Sequence, residues 1–235
     1  MEAKRLVFEK DIQDSVHGFI GVTKTELSLI DSRIFQRLHH IKHLGGAWLV
    51  YPSANHSRFS HMLGTMFVTG QIAQSLSDKG WLTDDDVEKV RIAALLHDIG
   101  HYPFSHVIEH VMKKKGEKGK HEKLTDHLLR QSEIKDILQD SSYNPDEISG
   151  IILGRYTQNN LFSQLIASDL DSDKIDYLLR DSYHTGVAYG SVDVGRLIRT
   201  MDVDDEGRLH LGKRETGTGE PLDSEISYVP ISLPP

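Results

Sequence analysis

The sequence has 235 residues, a formal net charge of −8, fourteen histidines and no cysteine. That length is most simply one domain with a substantial buried core, and the lack of cysteine excludes disulfides and thiolate metal sites and suits a reducing cytoplasmic setting. The negative charge argues against a nucleic-acid groove, no secretory signal is readable, and the longest purely apolar run, residues 92–96, is far too short to span a bilayer, so a soluble protein with no membrane partner is expected.

The chain opens on short β-prone pieces around Asp14 and Gly18 that read as a small hairpin or an irregular arm. From residue 24 the pattern becomes helical: Leu27, Ile30, Ile34, Leu38 and Ile41 recur by three and four, Ser32 is placed to cap a break, and Gly45-Gly46 stops the run. Residues 47–51 read as a brief strand or extended link, closed by Pro52. A helix over about 59–79 begins inside ANHSRFSH, with His61 in its first turn and Met62, Met66, Ile72, Ala73 and Leu76 on its packing face.

Thr83 followed by Asp84, Asp85 and Asp86 is a helix start, a hydroxyl cap with acidic residues where the dipole favours them. The helix runs to about residue 98, Val87, Val90, Ala94 and His97 share its buried stripe, and Gly100 ends it. Residues 91–106, RIAALLHDIGHYPFSH, place three histidines and an aspartate within ten residues behind the most apolar segment, so groups able to bind metal are carried into an interior. His97 and Asp98 lie at a helix C-terminus, where unpaired carbonyls favour a cation. Taken alone, the doublet equally fits a satisfied core histidine beside a terminal aspartate. If a metal binds, histidines without cysteines favour nitrogen and oxygen ligation, hence Mn, Fe, Zn, Ni or Mg.

Pro103 and Phe104 open another helix on which His106, Glu109 and His110 share a face. MKKKGEKGKHE then reads as a solvated lysine-glycine loop. Further helices are expected over 121–130, 145–153 and 161–168. In SDLDSDKIDYLLRDSYHTGV, Asp173, Lys174, Tyr177 and Asp181 recur on related faces of one helix. Asp193 starts a last helix to residue 201, GRLHLG suggests a strand, and residues 213–235, with four prolines and no helical period, read as a tail or incomplete edge. The expected fold is mostly α, eight or more helices with small β pieces, in one domain over 1–212 whose core is about 24–201.

His61, His97, Asp98 and Asp173, set in DSVHGFI, FQRLHHIKHLGG, HSRFSHMLG, HDIGHYPFSH and DSDKIDYLLRD, make residues 11–200 resemble the HD-domain phosphohydrolases, most closely their deoxynucleoside triphosphate triphosphohydrolase branch. The resemblance implies a helical bundle holding one divalent cation through those four residues. It also puts Arg58 and Lys174 on the phosphates and His101, His106, Glu109 and His121 in a polar cluster beside the metal, with His121 or His106 as general acid for the departing 5′ oxygen. Tyr177 and Asp181 match residues bordering the deoxyribose, Asp181 accepting from the 3′ hydroxyl, and Leu44 matches a residue packed against the sugar 2′ position. The implied activity is hydrolysis of deoxynucleoside triphosphates to deoxynucleoside and triphosphate, by a homo-oligomer.

Two departures bear on substrate. His43 stands where the branch commonly has a glutamine against the sugar. The branch also continues past the match to Arg199 through a helical part whose arginine and tyrosine grip the outer phosphates, and no counterpart is readable from residue 213 onward. A shortened variant, a site completed by another subunit and a smaller substrate each fit that difference. The alternatives are an HD nucleotidase for smaller nucleotides and a non-catalytic nucleotide-sensing subunit; a nuclease is supported only by the lysine run. His101-Tyr102 replaces the Glu-Asp pair of the alarmone hydrolases, and the Gly-Tyr-Pro signature of cyclic-dinucleotide phosphodiesterases is absent.

Overall fold

The turn over residues 14–18 is made by Asp14, whose Oδ1 accepts from the N–H groups of Val16 and His17 at 2.9 and 3.0 Å, and Gly18 ends it at φ 74°. In this structure, a computed structural model describing residues 6–115, 121–188 and 192–212, that turn joins β1 (Lys10–Asp14) to β2 (Gly18–Val22). The strands pair antiparallel with Ile12 opposite Ile20 and Asp14 opposite Gly18. Ile20 and Val22 face the core.

Thr23 and Glu26 form a reciprocal capping box that starts α1 (Lys24–Ile30), and Ser32 caps α2 (Arg33–Gln36), which tightens into a 3-10 turn over 37–40. The break expected at Ser32 therefore divides the helical run. The strand or extended link expected over 47–51 is instead a 3-10 turn, Ala47–Leu49. Its backbone is satisfied locally, Leu49 N–H donating to the Gly46 carbonyl at 3.0 Å and Tyr51 N–H to that of Ala47 at 2.8 Å, and among the described residues no strand pairs with it to supply a ladder.

The core is organised around α3 (Arg58–Asp78), which packs most extensively against α4 (Asp84–Leu96) and α10 (Ser172–Thr185). It is buried on nearly all sides, so its hydroxyls are satisfied inward: Thr65 donates to the His61 carbonyl at 3.0 Å and Thr69 to that of Thr65 at 2.8 Å. Gly64 lets α10 come close, since a Cβ there would lie 1.8 Å from Asp176 Oδ1. On α4, buried Arg91 binds both Glu26 oxygens at 2.7 and 2.8 Å and the Gly21 carbonyl at 2.8 Å, tying the hairpin and α1 to the bundle.

The remaining helices are α5 (Ser105–Lys114), α6 (His121–Gln131), α7 (Glu133–Asp140), α8 (Pro145–Ile152), α9 (Asn160–Ile166) and α11 (Val194–Thr200). The sequence reading left out α7, although Ser132 caps it and Ile134 and Leu138 are buried. The strand suggested by GRLHLG is β4 (Leu209–Leu211), paired antiparallel with β3 (Met201–Val203). The expected mostly α fold with small β pieces is the one that forms. Residues 213–235 and the centre of the lysine-glycine run lie outside the described residues. No helix among the described residues is long and apolar enough to cross a membrane.

Candidate metal centre

Three helix ends meet at one point. His61 lies in the first turn of α3, His97 caps the C-terminus of α4 with Asp98 next to it, and Asp173 is in the first turn of α10. Asp173 Oδ1 is 2.9 Å from His61 Nε2 and 3.6 Å from His97 Nε2, which is itself 3.6 Å from Asp98 Oδ2. Ligand atoms of His61, His97 and Asp98 all fall within 4.8 Å of one another.

The inner faces of both imidazoles are set by what their other nitrogens do. His61 Nδ1–H donates to Asp176 Oδ2 at 2.8 Å and His97 Nδ1–H to the Ala94 carbonyl at 2.7 Å. Each Nε2 therefore faces the site, that of His61 2.9 Å and that of His97 3.6 Å from Asp173 Oδ1, so each would offer its lone pair to a cation once its proton is displaced. Two such nitrogens with two carboxylates fit a divalent cation that accepts nitrogen and oxygen ligands.

The charges agree with that fit. Burial opposes protonation of His61, yet Asp173 and Asp176 outweigh it and push the imidazole up to about 9. His97 is likewise raised against burial by Asp98 and Asp173. Burial works against ionised Asp98, but His97, His101 and Arg58 hold it well below the usual carboxylate range, and the two imidazoles do the same for Asp173. The carboxylates thus favour positive charge between them, which protons on the imidazoles supply in the metal-free site and a bound dication would supply in their place.

Around it the structure assembles most of the other expected residues. Arg58 pairs with Asp98 Oδ2, and His101 Nε2 lies 3.1 Å from Asp98 Oδ1. His101 stacks on His121 at 4.0 Å, and His121 Nδ1–H donates to Glu109 Oε1 at 2.6 Å. Asp98, His101 and His121 also bring potential ligand atoms within 4.8 Å of one another. The side chain of His106 is outside the described residues. The His43 ring is 4.2 Å from that of His61, and burial, then His61 and Arg58, hold it well below the ordinary histidine value.

Of the residues expected at phosphate and sugar, Lys174, Tyr177 and Asp181 follow Asp173 along α10. Lys174 Nζ is bound to Asp171 Oδ2 at 2.9 Å and to the Ser168 carbonyl, and Tyr177 is half-buried one turn on. Asp181 accepts from His56 Nε2 at 2.8 Å, and Leu44 is half-buried in the segment before the 3-10 turn.

The sequence reading missed Asp176, His17, Arg180, Asp14 and His56 as parts of this region. Asp176 was findable, one helical turn after Asp173 and facing the same way. His17 and Asp14 stand in DSVHGFI, but nothing in that string says what they meet.

Comparison with known proteins agrees with the geometry. A family model described as HD domain matches residues 58–180, a span that holds all four candidate ligands. An uncharacterized protein of Methanocaldococcus jannaschii is 41% identical over 88% of this chain and 41% of its own length. The deoxynucleoside triphosphate triphosphohydrolase SAMHD1 of Homo sapiens is 32% identical over 88% of this chain and 39% of its own. A phosphohydrolase from Bacteroides thetaiotaomicron has a solved structure that superposes with a TM-score of 0.75 at 35% identity, covering 86% of this chain and 49% of that one. The chain thus spans about two fifths of the length of these curated relatives. With the family match spanning the histidine, the distant His-Asp doublet and the later aspartate that the fold has closed into one site, the chain belongs to the HD-domain family.

Proposed function

We propose that this chain is a metal-dependent phosphohydrolase that cleaves deoxynucleoside triphosphates into deoxynucleoside and triphosphate. The observation that carries the reading is the closure of His61, His97, Asp98 and Asp173 around one point, with both imidazole Nε2 atoms turned toward the carboxylates there. Its substrate class comes from the likeness to deoxynucleoside triphosphate triphosphohydrolases.

In this reading His61, His97, Asp98 and Asp173 would hold the cation, which when bound supplies Lewis acidity at the phosphate. Water adds to the α-phosphorus as its bond to the 5′ oxygen breaks, and the proton the water loses passes to the triphosphate product or to solvent, which restores the proton His121 gives up. His121, whose Nδ1 is committed to Glu109, is the side chain that gives the 5′ oxygen its proton. Arg58, beside Asp98, sets a guanidinium against the growing phosphate charge, and Lys174 adds an ammonium at the rim. Leu44 excludes a 2′ hydroxyl, and Asp181 accepts from the 3′ hydroxyl.

The test is product analysis on mono-, di- and triphosphates of deoxyribo- and ribonucleosides with Mn2+ or Mg2+, run across protein concentration. Intact triphosphate from deoxynucleotides, with a rate per chain that rises as chains associate, is the expected result. Release of pyrophosphate or orthophosphate alone would replace it with a different hydrolase, and metal-loaded protein that turns over none of them would make it a nucleotide-sensing subunit.

A further inference from the structure

Asp176 is fully buried, and each of its oxygens takes two hydrogen bonds. Oδ1 accepts from His17 Nε2 at 2.6 Å and from Arg180 Nη2 at 2.9 Å; Oδ2 accepts from His61 Nδ1 at 2.8 Å and from Arg180 Nε at 3.0 Å. That exhausts the lone pairs of a carboxylate, so its orientation is set by all four donors together. Arg180, also fully buried, spends its outer edge on Asp14, Nη1 to Oδ2 at 2.8 Å and Nη2 to Oδ1 at 3.2 Å. Asp14 and His17 belong to the turn of the N-terminal hairpin, 166 and 159 positions from their partners.

We propose that the N-terminal hairpin is the outer support of the metal centre, with Asp14 and His17 acting through Arg180 and Asp176 as positioning residues for the His61 imidazole. The inference rests on the reading of His61 as an ion ligand. Its physical content is a linkage. If the hairpin must be docked for Asp176 to hold His61 Nδ1–H, and with it Nε2 facing inward, then ion binding must in turn favour the docked hairpin by the same factor. A purely structural ion pair would stabilise the fold and leave the ion's affinity alone. His17 argues for the linkage: its ring packs on Phe67 of α3 at 5.3 Å, while its Nε2 is directed to the carboxylate that holds the ligand.

The experiment uses the full chain, stripped by chelator and reloaded with Mn2+. In the unsubstituted protein, hydrogen exchange of the amides over residues 10–22 is expected to slow by about tenfold or more on loading, within the usual range of coupling between sites. Asp14→Asn keeps the acceptor for the Val16 and His17 N–H groups while removing the charge that Arg180 meets, and His17→Ala removes the bond to Asp176. Each is expected to weaken Mn2+ binding, measured by calorimetry, by about 10- to 100-fold, the usual cost of losing an outer-shell partner. His17→Gln, which can still donate, is expected to recover part of the loss. Slowing of exchange around His61 and His97 with none in the hairpin overturns the proposal and leaves the metal reading standing. So does unchanged Mn2+ affinity in folded Asp14→Asn and His17→Ala proteins. Failure of Mn2+ to bind at all overturns the metal reading and this inference with it. Should a substituted protein fail to fold, the exchange comparison on the unsubstituted chain still decides.

Discussion

His56 donates from Nε2 to Asp181 Oδ1 at 2.8 Å, joining the segment just before α3 to the third turn of α10. The His184 ring stacks on His56 at 4.6 Å and limits its rotation. The carboxylate that the proposed function gives to the sugar is thus oriented before any ligand arrives. His56→Leu should raise KM for a deoxynucleotide by roughly tenfold, about the worth of one hydrogen bond to a charged group, with a smaller change in kcat. Steady-state kinetics check this, and a fall in kcat at constant KM would remove His56 from binding.

The pH response of the metal-free protein follows from His61. Burial pulls its pKa down, but Asp173 and Asp176 raise it from 6.5 to about 9. A histidine raised in the folded state contributes stability that is complete below the unfolded value and lost as pH climbs through the folded one. Metal-free protein should therefore lose stability between pH 6.5 and 9, read from denaturant midpoints. Mn2+ affinity should rise over the same interval, because proton and cation compete for Nε2. Stability that is flat across that window would contradict the assigned network.

Glu109 fixes which nitrogen of His121 is free, through the 2.6 Å bond to Nδ1. His121→Ala should lower turnover by about 100-fold or more, the range for general acid catalysis, with metal content retained. Glu109→Gln should cost less, since a neutral amide oxygen still accepts from Nδ1–H. Single-turnover rates with elemental analysis of the same samples separate lost chemistry from lost metal. An unchanged rate in His121→Ala would shift the acid to His106 or to water.

Gly64 has no room for a side chain, because a Cβ would meet Asp176 Oδ1 at 1.8 Å and Arg180 Nη2 at 2.4 Å. Gly64→Ala must push α3 and α10 apart or turn Asp176, so it should destabilise the protein by about 1–3 kcal/mol, as overpacking does. Mn2+ binding should weaken as well. Thermal unfolding and calorimetry check both, and a protein as stable as the parent would mean that α10 can shift freely.

Much of this molecule could be read from local pattern. The capped starts at Thr83 and Asp193, the break at Ser32 and the buried face of α3 depend on residues three or four apart, which a helix brings together whatever else happens. The 3-10 turn at 47–49 escaped that logic, because a short apolar run becomes a strand only if a neighbour offers a ladder. The helix α7 escaped although it is as long as α8, because it follows α6 after the single residue Ser132, with no glycine or proline to mark the break.

The candidate ligands His61, His97, Asp98 and Asp173 were visible as residue types in a recognisable order, and all four lie within the span that the family model matches. What the order could not contain is the direction of each nitrogen. His61 points its Nε2 inward because Asp176 takes its Nδ1–H, and Asp176 is held by a histidine and an arginine that answer to a hairpin more than 150 positions away. Sequence by itself determined which groups can bind a cation. Only the packing of α3 against α10, at the closeness Gly64 permits, decided that one imidazole meets Asp176 and that the N-terminal hairpin meets the same carboxylate, because a buried carboxylate must have every lone pair met and those donors come from segments that adjoin only once the chain has folded.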